Sequence, residues 1–410
     1  MTVYLVGGKA IRSDHTDFEA ALAAVYRGKD RPRCLCRQPG VEMYIARVQG
    51  KHILKRMPNT GSDHNPGCDS YEPPAELSGL GEVMGAAIHE DPDQNVTALK
   101  LDFSLSKQPG RAAPTPGTGE SDSVRTDGAK LTLRGTLHYL WEQAGFNRWA
   151  PAMSGKRSWG VIRKYILQAA ADKTAKGAGL SDLIFIPEPF YPERQAEIAQ
   201  RRIARVMKVT AASNGAAKAT QKLMIVIGEV KEIAPSRYGH KVVFKHLPDW
   251  HFMLNEDLHK RLQKRFSTEL NLWDAVDGSH LVLFGTFGVG GTGFPNLQEL
   301  ALMTTAESWL PFESLYEQML LDALINGRRR FMKGLRYNLT SSRPLASAVL
   351  TDTQHGPTAL YIIPPGASED FTGAIDQLVA ESKLTSWIWS AGTGEMPALP
   401  PAGTKLAHAS

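Results

Sequence analysis

Three cysteines and a histidine near the N-terminus have the side chains and the spacing of a metal site. All three cysteines of the 410-residue chain lie in one stretch, CLCRQPGVEMYIARVQGKHILKRMPNTGSDHNPGC, which begins at Cys34 and ends at Cys68. Cys34 and Cys36 are two residues apart, so on an extended segment both thiolates point to the same face. His64 and Cys68 flank an Asn-Pro-Gly sequence, which favours a turn that brings their side chains together.

A set of three thiolates and one imidazole is a common closed tetrahedral shell for zinc. Cys34, Cys36, His64 and Cys68 are therefore predicted to hold a structural zinc ion, because four protein ligands leave no open position for catalysis. His52 competes for the fourth place, although it lies in a strand-like run with no turn beside it. The one-residue spacing of the first two cysteines is shorter than usual for zinc, so buried reduced thiols and a redox-active Cys-x-Cys pair are alternatives.

The composition predicts a folded protein of two or three domains. Hydrophobic residues at 42% and charged residues at 22% are close to globular averages. No apolar run of about 18 residues occurs, so no membrane span is predicted. The N-terminus, MTVYLVGGKAIRSDH, lacks the basic and apolar regions of a secretory signal, and three cysteines suit a reducing compartment. A cytoplasmic location is predicted.

Positive charge is concentrated in a few segments, although the net charge is only +5. Residues 201–270 contain fourteen Lys or Arg and six Asp or Glu, and residues 328–343 contain six Lys or Arg and no acid. Residues 31–57 contain seven basic residues and one acid. Such clustering is typical of nucleic-acid-binding proteins, and a solvated charged surface is the alternative for each cluster.

Two segments interleave basic and aromatic side chains: RRRFMKGLRYN and FNRWAPAMSGKRSW. Cations neutralise phosphates, and exposed rings stack on bases with about 1–3 kcal/mol per base in single-strand binders. The alternative, favoured for Trp141 and Trp159, is that the rings anchor the core. The predicted nucleic-acid contacts are Arg328, Arg329, Arg330, Phe331, Lys333, Arg336, Tyr337, Arg148, Lys156 and Arg157.

The elements that must position these residues form an α+β pattern of helical and strand-like segments. An N-terminal module with the zinc site is predicted over residues 1–100, and a linker or disordered loop rich in Gly, Pro and Ser over 101–130. A mixed, basic α/β domain is predicted over 131–300 and a second α/β domain over 301–395. Residues 396–410 are predicted to be a disordered tail.

The segment 301–395 has the element order of a restriction-endonuclease core. Glu317 lies in a predicted helix, Asp352 ends the strand AVLTD, and ALYIIPP is the next strand. Paired carboxylates in such a core hold Mg²⁺, which activates water. Because ALYIIPP lacks the Glu-x-Lys that completes the core, a degenerate, non-cutting domain is predicted. The alternative is that Glu317 is a solvated helix residue and Asp352 a turn residue.

Two further patterns carry less specific predictions. GEVKEI supplies a Glu-x-Lys pair, Glu229 and Lys231, for which Asp182 is the candidate partner acid of a second nuclease site. GVGGTG, with Gly288, Gly290 and Gly293, fits a dinucleotide fingerprint, but Phe294 and Pro295 follow where a helix would be needed. A loop is predicted there.

A cluster of histidines lies within residues 240–259. Some members could coordinate a metal, but alternating strand faces and Pro248 separate them, so surface histidines are predicted. The members are His240, His246, His251 and His259, with Asp249 and Asp257 nearby.

Several stretches resemble one family over essentially the whole chain. LHYLWEQAGFNRWAP, GKRSW, IGEVKEI, KHLPDW, ESWLPFES and RRRFMKGLRYN, together with Cys34, Cys36 and Cys68, resemble the domain-of-unknown-function family 1173. The resemblance implies no assigned activity. It implies a bacterial protein of a kind often encoded on plasmids and other mobile elements.

The resulting prediction is a nucleic-acid-binding protein with a structural zinc site, acting in the upkeep or transfer of mobile DNA. A non-catalytic role is favoured. The alternatives are a Mg²⁺-dependent nuclease with a divergent active site and a protein–protein adaptor with an incidental basic face.

Overall fold

The structure, a computed structural model, describes residues 2–48, 50–107, 128–210, 220–237, 239–291 and 293–403. Helices and strands are mixed along this part of the chain, so the predicted mixture of α and β elements is confirmed. Most of the predicted linker, 108–127, and the end of the predicted tail, 404–410, lie outside the described residues.

The strands range from two-residue pairings to the long central strands near the middle of the chain. In chain order they are β1 (Val3–Val6), β2 (Lys9–Arg12), β3 (Arg33–Cys34), β4 (Val41–Val48), β5 (Lys51–Arg56), β6 (Ile88–Asp91), β7 (Val96–Leu99), β8 (Ser106–Lys107), β9 (Arg148–Trp149), β10 (Lys173–Ala175), β11 (Ala178–Gly179), β12 (Ile184–Phe185), β13 (Gln221–Lys222), β14 (Met224–Ser236), β15 (Gly239–Phe244), β16 (Leu247–Leu254), β17 (His280–Val289), β18 (Pro295–Thr305), β19 (Phe331–Lys333), β20 (Ala348–Leu350), β21 (Thr358–Ile363) and β22 (Thr385–Ser390).

The helices of the described residues are short to medium in length. They are α1 (Phe18–Val25), α2 (Leu80–Val83), α3 (Leu133–Gln143), α4 (Trp159–Ala170), α5 (Leu180–Leu183), α6 (Gln195–Val206), α7 (Glu256–Arg265), α8 (Ser267–Ala275), α9 (Leu315–Asn326) and α10 (Glu369–Glu381). None of them is long and apolar enough to cross a membrane.

The N-terminal module is an antiparallel sheet in the order β2-β1-β3-β4-β5, with α1 against it. Its core is small and is completed by Met332 of β19 from the far end of the chain. The buried members of this core are Tyr4, Val6, Leu22, Cys34, Met43, Ile45, Cys68, Tyr71 and Met332.

The middle of the chain forms a closed barrel. β14 pairs with β15, β15 with β16, β18 with β17, and β17 with β14, all antiparallel. The ring closes where β16 pairs with β18 in parallel, through Met253 and Asn296. The segment between β16 and β17 is α7 and α8, and Leu258 and Leu262 of α7 belong to the same apolar cluster as the inward side chains of the strands.

Helices α3 and α4 cover the outer side of β14 and β17. Leu137 and Leu140 of α3 and Ile162 of α4 pack in one cluster with Ile225 and Phe284, which point away from the barrel interior. The strand residues alternate between the two clusters because successive side chains on a strand point to opposite faces. Lys241 and Met253, on the outer side of β15 and β16, remain partly exposed among the described residues.

α3 begins where the sequence supplies both a cap and a close approach. The Thr132 hydroxyl accepts a hydrogen bond from the Gly135 N–H at 2.9 Å, which satisfies one of the unpaired donors of the first turn. A Cβ on Gly135 would lie 2.3 Å from Oδ1 of Asn338, so only glycine fits there. Asn338 in turn accepts from the Thr132 N–H at 3.1 Å, which fastens the helix to the C-terminal part of the chain.

The C-terminal sheet has the order β22-β21-β20-β19-β9, and its last strand, β9, comes from residues 148–149. The predicted domain boundary at residue 300 falls inside β18. Residues 396–403 of the predicted tail lie against this part of the fold: Trp387 donates to the Ala398 carbonyl at 3.0 Å, and Thr353 pairs with Ala402.

A buried carboxyl links α3 to the same C-terminal segment and makes stability depend on pH. The Tyr337 hydroxyl donates to Glu142 at 2.5 Å, and burial, with the nearby charge of Glu72, raises the pKa of Glu142 to about 7. The folded state therefore retains a proton that the unfolded state loses, so stability should fall as the pH rises from about 5 to 8. We expect Glu142→Gln to gain about 1–3 kcal/mol of unfolding free energy at pH 8 and little at pH 5.

Urea unfolding at both pH values measures this difference. Glu82→Gln, at an exposed position, is the matched control and should show no such gain. The same gain for Glu142→Gln at both pH values would contradict the prediction.

Candidate metal centre

The four predicted metal ligands come from β3 and from three turns. Cys34 ends β3, Cys36 follows it, and His64 ends the short 3₁₀ helix Gly61–Asp63. The Cys68 N–H donates to the Asn65 carbonyl at 2.8 Å, so the Asn-Pro-Gly sequence forms the predicted turn. The Asn65 side chain accepts from the Gly67 N–H at 2.9 Å and stabilises that turn.

These side chains converge on one point. Sγ of Cys34 and Sγ of Cys68 are 3.6 Å apart, and Nδ1 of His64 lies 3.4 Å from Sγ of Cys36 and 3.8 Å from Sγ of Cys68. All four donor atoms lie within 4.8 Å of one another. Around a tetrahedral zinc ion, bond lengths of about 2.3 Å to sulfur and 2.0–2.1 Å to nitrogen place neighbouring donors about 3.5–3.8 Å apart. The group can therefore hold a metal ion.

The sulfur–sulfur distance excludes a disulfide, and the position of His52 decides which histidine belongs to the cluster. The cysteines are free thiols, since 3.6 Å is far longer than the about 2.05 Å of an S–S bond. His52 lies on β5, where its Nδ1 is 3.3 Å from the Glu19 carboxylate and its ring packs against Tyr26. His64, and not His52, therefore belongs to the cysteine cluster.

The cluster is buried, and its hydrogen bonds favour the thiolate form of Cys68. Cys34 and His64 have no exposed surface, and Cys68 is 9% exposed. The Cys34–Cys68 hydrogen bond raises the pKa of Cys34 and lowers that of Cys68 to about 3, while burial raises the pKa of Cys36. Three thiolates at one buried point would repel one another, so a cation is what allows all of them to ionise.

Backbone amides support two of the sulfurs from outside. The Asn65 N–H donates to Sγ of Cys36 and the Ser70 N–H donates to Sγ of Cys68, both at 3.4 Å. Such hydrogen bonds orient metal ligands and stabilise negative charge on them. The second imidazole nitrogen of His64, Nε2, is buried with no hydrogen-bond partner among the described residues, so it is Nδ1 that faces the sulfurs.

Comparison with known proteins places the chain in a family. A model of the family described as "protein of unknown function (DUF1173)" matches residues 4–392. The chain belongs to this family. No curated protein and no solved structure matches the chain. Membership covers the metal cluster and nearly all the rest of the fold, and it brings no activity with it.

The two predicted nuclease carboxylates, Glu317 and Asp352, each form an ion pair with a basic side chain. Glu317, on the first turn of α9, accepts from Lys333 at 2.9 Å and from the Glu313 N–H at 2.8 Å. Asp352 accepts from Arg329 at 2.9 Å and from the Arg330 N–H at 2.7 Å. Among the described residues, neither carboxylate belongs to a group of three or more side chains placed to hold a metal.

The elements around these two acids follow the predicted order: α9, β19, β20, β21, α10 and β22. β21 and β22 are parallel and the other pairs in this sheet are antiparallel. The interpretation of Glu317 as a solvated helix residue is excluded, because the side chain is buried against Lys333. A basic side chain of the protein is therefore already paired with each carboxylate that Mg²⁺ would need.

Most residues of the two aromatic–basic stretches are structural in this fold. Phe331 and Tyr337 are buried, so neither ring can stack on a base. Arg329 and Lys333 are buried in their ion pairs, and Trp159 is a core residue as the alternative interpretation held. A sequence in which basic and aromatic residues alternate does not show whether the rings will be exposed or buried. In this fold Phe331 and Tyr337 are buried.

The other predicted contacts divide into two groups. Arg148, Arg157 and Arg336 are half-buried, and each donates to backbone carbonyls, Arg148 and Arg336 also to a carboxylate. Burial lowers the pKa of Arg157 to about 10. Only three of the ten predicted contacts are exposed: Lys156, Arg328 and Arg330.

The Glu229–Lys231 pair does not form a site with Asp182. A register shift between Val230 and Glu232 places a bulge at Lys231, so Glu229 is buried while Lys231 is exposed. Asp182 instead lies 3.8 Å from Arg205 and from Lys208.

Glu229 is the centre of a different cluster, which sequence patterns did not reveal. Its carboxylate is 4% exposed and lies 2.6 Å from both Nδ1 of His280 and Nζ of Lys245. Nε2 of His246 is 3.7 Å away. The rings of His246 and His280 stack on Trp159 and Trp309, so the cluster forms part of the contact between the barrel and α4. These hydrogen bonds hold the pKa of Glu229 far below its ordinary value, against the effect of burial.

The glycine-rich loop joins β17 to β18, as the loop prediction held. The Gly293 N–H donates to the Gly290 carbonyl at 3.0 Å, and the strand β18 follows where a dinucleotide fold needs a helix. The Trp250 indole donates to the Gly293 carbonyl at 2.9 Å and fastens the loop to the barrel. Phe294, at the end of the loop, stacks on His251 with the ring centres 4.5 Å apart.

A basic cleft of about 380 Å³ lies beside the turn between β15 and β16. Its floor is apolar, with Phe185 and Leu247, and four arginines line it: Arg163, Arg201, Arg202 and Arg205. Glu188, Asp249 and Asp182 pair with Arg201, Arg202 and Arg205 respectively, while Arg163 donates to a backbone carbonyl at 3.2 Å. Burial, followed by the neighbouring arginines, lowers the pKa of Arg163.

Proposed function

We propose that Cys34, Cys36, His64 and Cys68 hold one structural Zn²⁺ ion. The donor set supports zinc, because a tetrahedral group of three thiolates and an imidazole suits zinc better than the harder cations Mg²⁺ and Ca²⁺. The burial of the cluster supports a structural role, since four protein ligands leave no position for water. The ion would neutralise the thiolates and connect β3 to the segment that carries His64 and Cys68.

We further propose that the protein is a non-catalytic binder of single-stranded nucleic acid, and the barrel is the observation that carries this proposal. Numbered in chain order, its five strands pair in the order 1-2-3-5-4-1, with helices between the third and fourth. OB-fold barrels share this five-stranded Greek-key design and bind oligonucleotides or oligosaccharides on strands two and three and on two adjacent loops. The likeness is one of topology, so the residues on that face must supply the chemistry.

The corresponding face here is the outer side of β15 and β16. Lys241 and Met253 are paired across the two strands and are half-exposed. His251 and Phe294 form a ring pair beside them, with Phe294 contributed by the loop between β17 and β18. A cation beside partly exposed rings suits a strand of phosphates and bases.

Charge favours a polyanion over an uncharged oligosaccharide. Strands β14, β15 and β16 and helix α7 lie within the strongly basic residues 201–270. The arginine-lined cleft continues this positive surface past the turn between β15 and β16. Backbone phosphates would meet cations along this path, which is the usual electrostatic basis of affinity for nucleic acid.

Binding of a fluorescent single-stranded oligonucleotide, titrated at several salt concentrations, tests the proposal. We expect Phe294→Ala to weaken binding about 5–30-fold through lost stacking, which corresponds to about 1–2 kcal/mol. Lys241→Ala should reduce the magnitude of the salt slope by about one, through the loss of one phosphate contact. The oligonucleotide should be recovered uncut with Mg²⁺ present, because cations occupy Glu317 and Asp352.

Two matched variants control for general loss of a ring or a charge. Tyr165→Ala removes a ring that is 44% exposed, and Lys383→Ala removes an exposed lysine of the C-terminal domain. Neither should change the affinity. No salt-dependent binding by the wild type, or equal losses in the barrel variants and the controls, would refute the proposed nucleic-acid function. The prediction of an association with mobile-element DNA rests on the family resemblance alone.

A further inference from the structure

A second group of potential metal ligands lies where β15 meets the start of α7. His240 is the second residue of β15 and is paired with Leu254, the last residue of β16. It therefore lies next to the first turn of the helix that follows β16. The Asn255 side chain caps that helix by accepting from the Leu258 N–H at 2.8 Å. Glu256 and His259, three residues apart, therefore lie on one side of the first turn, facing His240.

The three side chains are arranged as metal ligands. Nδ1 of His240 is 3.6 Å from Oε2 of Glu256, and the imidazoles of His240 and His259 are stacked with their centres 3.4 Å apart. Ligand atoms of all three lie within 4.8 Å of one another. Two donors about 2.0–2.1 Å from one ion at the tetrahedral angle are about 3.4 Å apart, which is close to the 3.6 Å between Nδ1 of His240 and Oε2 of Glu256.

One of these donor atoms, Nδ1 of His240, has no hydrogen-bond partner among the described residues. This atom is buried, and a buried polar atom normally has a partner. Because the two rings are stacked, their lone pairs lie in nearly parallel planes, and sharing one ion requires rotation about χ2, a broad torsion in histidine. The start of β15 also lies very close to the end of β16. Gly239 has φ +101°, and a Cβ there would lie 2.6 Å from the Leu254 carbonyl oxygen, so glycine is required at this position.

We propose that His240, Glu256 and His259 bind a second divalent cation of the kind that imidazole prefers, namely zinc, cobalt or nickel. This site differs in kind from the cysteine cluster. It has three protein ligands, and the Glu256 side chain is 55% exposed, so at least one coordination position faces solvent. An ion here can exchange and can take water or an anionic oxygen as its remaining ligand.

Zinc counting on the full-length protein tests the site. The protein is equilibrated with Zn²⁺ at a buffered free concentration, and the bound zinc is measured by inductively coupled plasma mass spectrometry. We expect two equivalents in the wild type and one in His259→Ala and in Glu256→Gln. Because Glu256 is largely exposed, Glu256→Gln keeps the fold and separates loss of metal from loss of structure.

Two more variants make the result specific. Cys36→Ser should lose the other equivalent and keep the one at His240, so failure of the structural zinc proposal and failure of this one are distinguishable. His251→Ala removes a half-buried histidine of the same barrel from outside the cluster and should keep both equivalents. Bound zinc that is lost entirely in Cys36→Ser, or bound zinc that is unchanged in both His259→Ala and Glu256→Gln, would overturn the proposal.

Discussion

Removal of the proposed zinc ion is expected to unfold the N-terminal module while the barrel stays folded. The module's core is small and includes two of the ligands, Cys34 and Cys68, so few apolar contacts remain without the ion. Structural zinc contributes about 10 kcal/mol or more to folding in small zinc-finger peptides, which is more than such a core can replace. We expect Cys36→Ser, or treatment with a strong chelator, to remove the zinc of the cysteine cluster and to expose β1–β5 to hydrogen exchange.

Metal analysis and hydrogen exchange, resolved by peptide, measure the two effects on the same samples. Strands β14–β18 should keep their protection, because their cluster of buried residues contains none of the metal ligands. His52→Ala is the matched control, since this half-buried histidine lies in the module but outside the cluster. If the wild type contains no metal at the cysteines and the module is nevertheless protected, the zinc proposal is wrong. The two alternatives then remain, namely buried reduced thiols and a redox-active pair of Cys34 and Cys36.

Loss of the buried carboxylate at position 229 is the second large effect that we expect. Glu229→Ala would leave His280 and Lys245 without their common partner and open a gap beneath Trp159. Removing one member of a buried ion pair costs about 3–5 kcal/mol. Lys245 is 40% exposed and can regain water, which places the expected loss of unfolding free energy near the lower end, at about 3 kcal/mol.

The pH dependence of this effect has a definite sign. The pKa of Glu229 is depressed in the folded state, so its stabilising contribution is complete above the ordinary glutamate pKa of about 4.3 and is lost as the pH falls below it. The difference in unfolding free energy between the wild type and Glu229→Gln should therefore narrow between pH 5 and pH 3. Glu232→Ala, an exposed position on the same strand, should change stability by less than about 0.5 kcal/mol. Equal losses for positions 229 and 232 would show that the cluster does not stabilise the barrel.

The buried cluster illustrates a limit of pattern reading. In the sequence, Glu229 and Lys231 form a Glu-x-Lys pair, and on a regular strand both side chains would point the same way. The bulge at Lys231 separates them, and Glu229 pairs instead with His280, 51 residues away. A bulge depends on how two strands pair, and short-range patterns do not contain that information.

The metal ligands could be predicted because their arrangement is local. Extended geometry brings Cys34 and Cys36 to one face, and the Asn-Pro-Gly turn brings His64 toward Cys68, whatever the rest of the chain does. The choice of His64 over His52 also followed from turn chemistry. The mixture of helices and strands was accessible for a similar reason, since periodicity is a property of each segment.

The tertiary structure alone decided what the basic and aromatic residues do. Phe331, Lys333 and Tyr337 belong to a stretch that reads as a nucleic-acid contact, yet packing against β9, β20 and α3 buries all three. The sequence by itself determined the ligands of the metal cluster and the types of its elements, through spacing and turn residues. Closure of the barrel, the open face of β15 and β16, and the meeting of His240 with Glu256 and His259 depend on pairings between distant segments, whose partners local sequence does not specify.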